Sequence, residues 1–293
     1  MNRKIVVFAS ILMVTLACGL GTPTAPPTPL DTGAIVAATI QALTAQALTA
    51  APPLPTEAPP TAAPTAEPLP FVLPEALGTG AKIEHIPEVS GADLPPWVIF
   101  PAHTRYILQG YPLEDMFFDP QILIYPADGL TRLNEGAGIQ IIQLTALLNS
   151  PGTALPEHMP FIPIFNAGQV FYAHALRIQF PNGAGFRYLT QYGQAPHPVN
   201  NQELFYTFQG LTGDGRYYVA AILPVNAPFL VADADPEAAL PEGGIPFDWT
   251  NFDTMTAYLD SITIKINTTD HNTFVPALPL LDTLIQSIQI TNP

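Results

Sequence analysis

Four runs decide the fold: QVFYAHALRIQF (169–180), GFRYLTQYG (185–193), LFYTFQGL (204–211) and RYYVAAILPV (216–225). Each is rich in aromatic and β-branched residues and short enough to be a strand. Pro181-Asn182-Gly183 separates the first two, and Gly213-Asp214-Gly215 separates the last two. Asn-Gly and Asp-Gly tolerate positive φ at both turn positions, so each marks a tight hairpin. The four runs therefore predict an antiparallel meander. Alternation along it is poor, since Phe205-Tyr206-Thr207-Phe208 and Tyr217-Tyr218-Val219-Ala220 put apolar side chains on both faces. Such a sheet is covered on both sides, or lies one face against a partner or ligand.

Upstream, residues 97–100, 105–108 and 121–125 are short extended runs bracketed by prolines, which suits strands that begin and end abruptly. Residues 133–148 carry Ile139, Ile142, Leu144, Leu147 and Leu148 at near-helical spacing, and Asn149-Ser150-Pro151-Gly152 stops them. Downstream, residues 252–264 and 278–288 repeat the helical pattern. Strands followed by helices predict an α+β domain, an antiparallel meander with at least three packed helices. Without a second linker or a repeat, residues 81–293 read as one domain.

The N-terminus has a different character. Arg3 and Lys4 precede an uncharged apolar run over residues 5–16, followed by Ala17-Cys18. That is the shape of an export signal, and the run is shorter than the roughly 20 residues a spanning helix needs. Val14-Thr15-Leu16-Ala17-Cys18 resembles the lipobox of bacterial lipoproteins. The resemblance implies a signal peptide over 1–17 and diacylation of Cys18, the one cysteine in the chain. Two acyl chains hold a protein stably at a membrane. The expected location is the extracytoplasmic face of the cell membrane.

Residues 18–80 read as a tether. Pro, Thr and Ala dominate them, and such sequence is extended and semi-rigid at about 3.1 Å per residue in the polyproline conformation. Within it, residues 31–50 predict a short Ala-rich helix with Val36, Ile40, Leu43 and Ala47 on one face.

The chain of 293 residues has 11% charged residues and a net charge of −15. So acidic a balance argues against nucleic acid and against a polybasic grip on anionic lipid.

The block from Asn166-Ala167-Gly168-Gln169 through Gly210-Leu211-Thr212-Gly213-Asp214-Gly215-Arg216-Tyr217-Tyr218 resembles a group of uncharacterised bacterial lipoproteins. These join a Pro/Thr/Ala tether to this kind of meander and a final helix like Leu281-Asp282-Thr283-Leu284-Ile285-Gln286-Ser287-Ile288. The order of elements is also similar to PsbP-like domains. Neither resemblance brings an activity or a catalytic residue.

No residue pattern commits the chain to a reaction. His85, His103, His158, His174, His197 and His271 include no pair at i, i+4, so no metal site is expected. Asp233-Ala234-Asp235-Pro236-Glu237 begins like a calcium loop, but its sixth position is Ala238 where a sharp turn needs Gly. There is no Gly-x-Ser-x-Gly, and no cofactor is expected. Glu203 at a strand start and Asp214 in a turn are the carboxylates nearest a glycosidase-like arrangement, and Asp214 is accounted for by its hairpin.

The unusual concentration is aromatic. Tyr188 and Tyr192 share one face of their strand, and Tyr206 and Phe208 share one face of theirs, while Arg187, Gln191 and Gln209 lie among them on the opposite face. Rings beside amide and guanidinium groups make a platform for sugars or peptides. The same rings also suit a core under helices, with hydroxyls satisfied at its rim. The expected function is a non-catalytic binding or assembly module for a glycan, peptide or protein. A cell-envelope hydrolase with dispersed catalytic residues and a structural spacer are the alternatives.

Overall fold

The computed structural model describes residues 67–150 and 152–291. Cys18, the expected signal peptide and the expected Ala-rich helix lie outside the described residues. The chain forms a seven-stranded sheet in the order β1-β2-β3-β7-β6-β5-β4. The strands are β1 Gly80–Ile86, β2 His103–Gln109, β3 Gln121–Pro126, β4 Gly168–Phe180, β5 Gly183–Gly193, β6 Phe205–Thr212 and β7 Tyr217–Pro224. Every neighbouring pair is antiparallel. The expected four-strand meander is one half of this sheet. A three-strand meander is the other half, joined to it where β3 runs beside β7 from Gln121↔Ile222 to Pro126↔Tyr217.

Four helices cover the sheet: α1 Ala127–Leu133, α2 Glu135–Asn149, α3 Met255–Thr268 and α4 Leu278–Gln286. Leu130, Ala137 and Leu144 of α1 and α2, with Met159, Phe161 and Ile162 of the following loop, bury one face against Phe186, Tyr188, Phe205 and Tyr218. Tyr258, Ile262 and Ile266 of α3, with Leu278, Leu281, Leu284 and Ile285 of α4, bury the other face against Phe171, Leu189, Tyr206 and Phe208. The result is three layers with the sheet in the middle. This is why β6 is buried along its whole length and shows no alternation. Each Phe or Leu so buried is worth roughly 1.5–3 kcal/mol over an exposed one.

Local chemistry sets the boundaries. Pro126 ends the β3 ladder because it has no N–H to give, and its φ of −63° leads directly into α1. Asn134 divides α1 from α2. Its Oδ1 accepts the N–H of Ala137 at 3.2 Å, and its Nδ2 donates to the carbonyls of Pro96 at 2.8 Å and Ile99 at 3.1 Å.

Those last two bonds explain a correction. Residues 97–100 were expected to be a strand, yet Pro96–Val98 form a 3₁₀ turn. Pro95 and Pro96 start a tight turn, closed by Val98 N–H to Pro95 O at 3.1 Å, and Asn134 takes carbonyls that a ladder would have used.

The β4–β5 hairpin turns on Pro181 and Asn182, with Phe180 opposite Gly183. A Cβ on Gly183 would lie 2.2 Å from the Phe180 ring and 2.3 Å from Leu211 O, so only glycine fits. In the β6–β7 turn, Gly215 takes φ +71°. Asp214 Oδ1 accepts from the Thr212 hydroxyl at 2.6 Å and from Arg216 N–H at 3.0 Å. β4 slips register between Ala173 and Leu176. His174 sits in that bulge at φ +51°, and the inward set changes from Phe171 and Ala173 to Ile178 and Phe180. A bulge on an edge strand also discourages pairing with a foreign strand.

The folded body begins earlier than residue 81. Phe71 and Leu77 are buried in the α3/α4-side core, and Thr79 N–H donates to Gln109 O at 2.8 Å. Residues 67–80 resemble tether only in composition. Among the described residues, no helix is long and apolar enough to cross a membrane.

Candidate functional site

The strand-face aromatics do not form one platform. Tyr188, Tyr192 and Gln209 belong to the α1/α2 side, whereas Arg187, Gln191, Tyr206 and Phe208 belong to the α3/α4 side. All but the half-buried Tyr192 are sealed from solvent. Their polar atoms have internal partners, apart from Arg187 Nε, which makes no hydrogen bond although it lies 3.2 Å from Asp282 Oδ1. Tyr188 donates to Pro160 O at 2.8 Å, and Gln209 Oε1 accepts from Tyr218 OH at 2.6 Å and from Ile162 N–H at 2.9 Å. Gln191 Oε1 accepts Asn200 N–H at 3.0 Å while its Nε2 donates to Pro198 O at 3.2 Å. Gln169 Nε2 donates to Tyr192 OH at 3.3 Å, and Phe208 packs edge-on against Phe180 at 5.9 Å. Of the two arrangements open from sequence, the molecule has the core.

A buried polar cluster joins β5 to α4. Arg187 Nε lies 3.2 Å from Asp282 Oδ1, to which Tyr206 OH donates at 2.9 Å. Arg187 Nη1 donates to the His174 carbonyl. Burial, followed by the Asp282 charge, pushes the Tyr206 phenol far above its ordinary value. His174 Nδ1 is 3.2 Å from His271 Nε2. Burial, then the charges of His271 and Arg187, holds His174 down at about 4. These groups fasten α4 and the α3–α4 loop to the sheet.

A second pair lies on the β5–β6 connection. His197 Nε2 is 2.7 Å from Glu203 Oε2, and its Nδ1 is 2.8 Å from Ala195 O. The bond to Glu203 raises His197 above its ordinary value. Glu203 was noted in sequence only as a lone strand-start carboxylate. Its partner, six residues upstream in a Pro-rich loop, carried no periodic signal.

The open concavity is elsewhere. A groove of about 960 Å³ lies at one end of the sheet. Thr104, Tyr106, Ile124 and Tyr217, from β2, β3 and β7, contribute to its lining. Residues 67–72 and 287–291 bring the two ends of the folded body to it. The Ser287 hydroxyl accepts Val72 N–H at 2.9 Å, and Gln289 N–H donates to Pro70 O at 2.7 Å. These bonds hold the two segments together as a clasp. Most of the lining is apolar, with Leu69, Phe71, Ile86 and four prolines. The groove was invisible in sequence because one wall of it, residues 67–72, had the composition of tether.

One polar line crosses the groove. Glu67 Oε2 is 3.2 Å from His85 Nε2, and His85 Nδ1 is 3.5 Å from Thr104 Oγ1. An acid, an imidazole and a hydroxyl in this order are the components of a proton relay. Here His85 and Glu67 are 67% and 50% exposed, so water screens the pair and no burial activates it. Deeper in, burial holds His103 below its ordinary value, and its Nδ1 is 2.9 Å from Pro101 O. Among the described residues, no group of three or more His, Cys, Asp or Glu could hold a metal ion.

The fold is thus a three-layer α+β domain with an apolar groove at the end of an antiparallel sheet. Scans of known protein families, of curated proteins and of solved structures each found nothing that matches this chain.

Proposed function

We propose that this protein is a non-catalytic binding module at the extracytoplasmic face of the cell membrane, with the groove as its ligand seat. Diacylated Cys18 and the Pro/Thr/Ala tether hold it there. The observation that carries the reading is the groove itself: about 960 Å³, mostly apolar, and bounded by the clasp between Pro70 and Gln289. Ligand sites are concave, mostly apolar and furnished with a few placed polar groups, which His85, Thr104 and Glu67 supply here. Such a lining suits the apolar part of a peptide or an amphiphile better than a glycan, whose many hydroxyls would need partners. The strand-face rings are not available for that role.

The Glu67–His85–Thr104 line supports a second reading, a cell-envelope hydrolase with Thr104 as nucleophile and His85 as base. The first reading is tested with the uncharged dye N-phenyl-1-naphthylamine, whose fluorescence rises in apolar sites. The protein brightens the dye, and Ala102→Trp, an exposed position on the groove lining, abolishes the effect. Binding that survives Ala102→Trp overturns the assignment of the groove. Ester turnover that His85→Ala eliminates would favour the hydrolase.

A further inference from the structure

We infer that the groove takes a cationic amphiphile, with its apolar body along the prolines and rings and one ammonium-type head at the Glu67 carboxylate. This rests on the groove being the ligand seat, and it adds the ligand's charge.

Among the described residues, the lining contains no Lys and no Arg, and Glu67 is its one carboxylate. The nearby cations of the strands face away. Pairing of β1 with β2 sets His85 opposite Thr104 on the groove side and Glu84 opposite Arg105 on the other side. There Glu84 takes both Arg105 and, at 2.7 Å, Lys82. His103 adds no positive charge, because burial favours its neutral form.

Glu67 is also placed where a head group would meet apolar surface. Its charge acts on the Tyr106 phenol, and the Tyr106 ring meets Phe71 edge to face at 5.6 Å. The hydrogen bond to His85 uses one of about four acceptor positions on the carboxylate, so an ammonium can still be received. An anionic head, whether carboxylate or phosphate, would find no Lys or Arg among the described lining residues and would be repelled by Glu67. The chain's net charge of −15 adds a long-range bias of the same sign, enriching cations near the surface and depleting anions.

The test uses the whole protein with N-phenyl-1-naphthylamine bound. Octyltrimethylammonium, octyl glucoside and octanoate compete at submicellar concentration. The ammonium compound displaces the dye at about tenfold lower concentration than octanoate, a difference of about 1.4 kcal/mol. Glu67→Gln, an exposed substitution at the rim, removes that preference while the uncharged glucoside competes as before. Equal or tighter binding of octanoate, or a preference that survives Glu67→Gln, overturns the inference and leaves the groove as a seat for ligands of another charge. Dye binding that Ala102→Trp does not reduce overturns both the inference and the groove assignment beneath it.

Discussion

Arg187 and Asp282 meet at 3.2 Å between β5 and α4, and Arg187 is 1% exposed there. A buried ion pair adds little net stability, yet removing one partner leaves the other charge desolvated. Asp282→Asn should therefore lower unfolding stability by about 3–5 kcal/mol, measured by urea denaturation. Arg187→Met should cost less, because Asp282 keeps the Tyr206 hydroxyl and reaches solvent. The double variant should recover part of the Asp282→Asn loss, giving a clear coupling energy in the cycle. Additive losses would mean that the two side chains do not act as a pair.

The histidine pair makes stability depend on pH in a defined direction. In the folded chain His174 titrates at about 4, below its ordinary 6.5. The folded state thus binds fewer protons than the unfolded state between these values. The contribution is complete above 6.5 and is lost as pH falls through about 4. His197 works in the opposite sense. Its folded value is raised by Glu203, so its contribution is complete below 6.5 and is lost as pH rises through the raised value. Urea midpoints from pH 4 to 8 check both. His174→Asn, which tolerates the positive φ of the bulge, should reduce the acid loss, and His197→Gln should flatten the slope above 6.5. A slope unchanged by either substitution would remove that histidine from the account.

The meander was legible because its information is local. Pro181-Asn182-Gly183 and Gly213-Asp214-Gly215 mark turns from their own sequence, although of these residues only Gly215 takes positive φ. The helical spacing of Leu281, Leu284 and Ile285 needs only its own segment. β1 was missed although Ala81 and Ile83 alternate with Lys82 and Glu84, since a seven-residue edge strand with three charged or polar positions resembles a loop until β2 is beside it. Trp97-Val98-Ile99 was misread because Asn134, far along the chain, takes the carbonyls that would have made it a strand. The aromatic residues were found, but their side of the molecule was not. Whether Tyr188 is a platform or a core ring depends on α1, α2 and the loop that carries Pro160. The groove was beyond reach for the same reason, because Pro70 and Gln289 are adjacent only in the folded chain.

The proposed acylation of Cys18 predicts that cells given labelled palmitate incorporate it into this protein. Cys18→Ser should abolish incorporation and release the protein from the membrane fraction. A labelled Cys18→Ser protein would place the anchor elsewhere, and an unlabelled wild type in a secreted fraction would make residues 1–17 an ordinary export signal.

The start of the folded body can be read from truncations. Phe71 is 6% and Leu77 is 0% exposed, and both pack in the core under α3 and α4. Removing a buried side chain of this size costs roughly 2–5 kcal/mol, and a domain of ordinary stability has only about 5–15 kcal/mol in total. A chain beginning at residue 81 loses both side chains and the Pro70–Gln289 bond that closes the clasp. It should show no cooperative thermal transition, or one lowered by well over ten degrees, since about 1 kcal/mol shifts the midpoint by roughly 2–4 °C at this size. A chain beginning at residue 67 should unfold as the whole protein does. Phe71→Ala within the intact chain separates packing from chain length. It should lower stability by about 3–5 kcal/mol and weaken dye binding, since the same ring lines the groove. If the chain from residue 81 unfolds at the full-length temperature, Phe71 and Leu77 are not part of the cooperative core, and the clasp does not shape the groove.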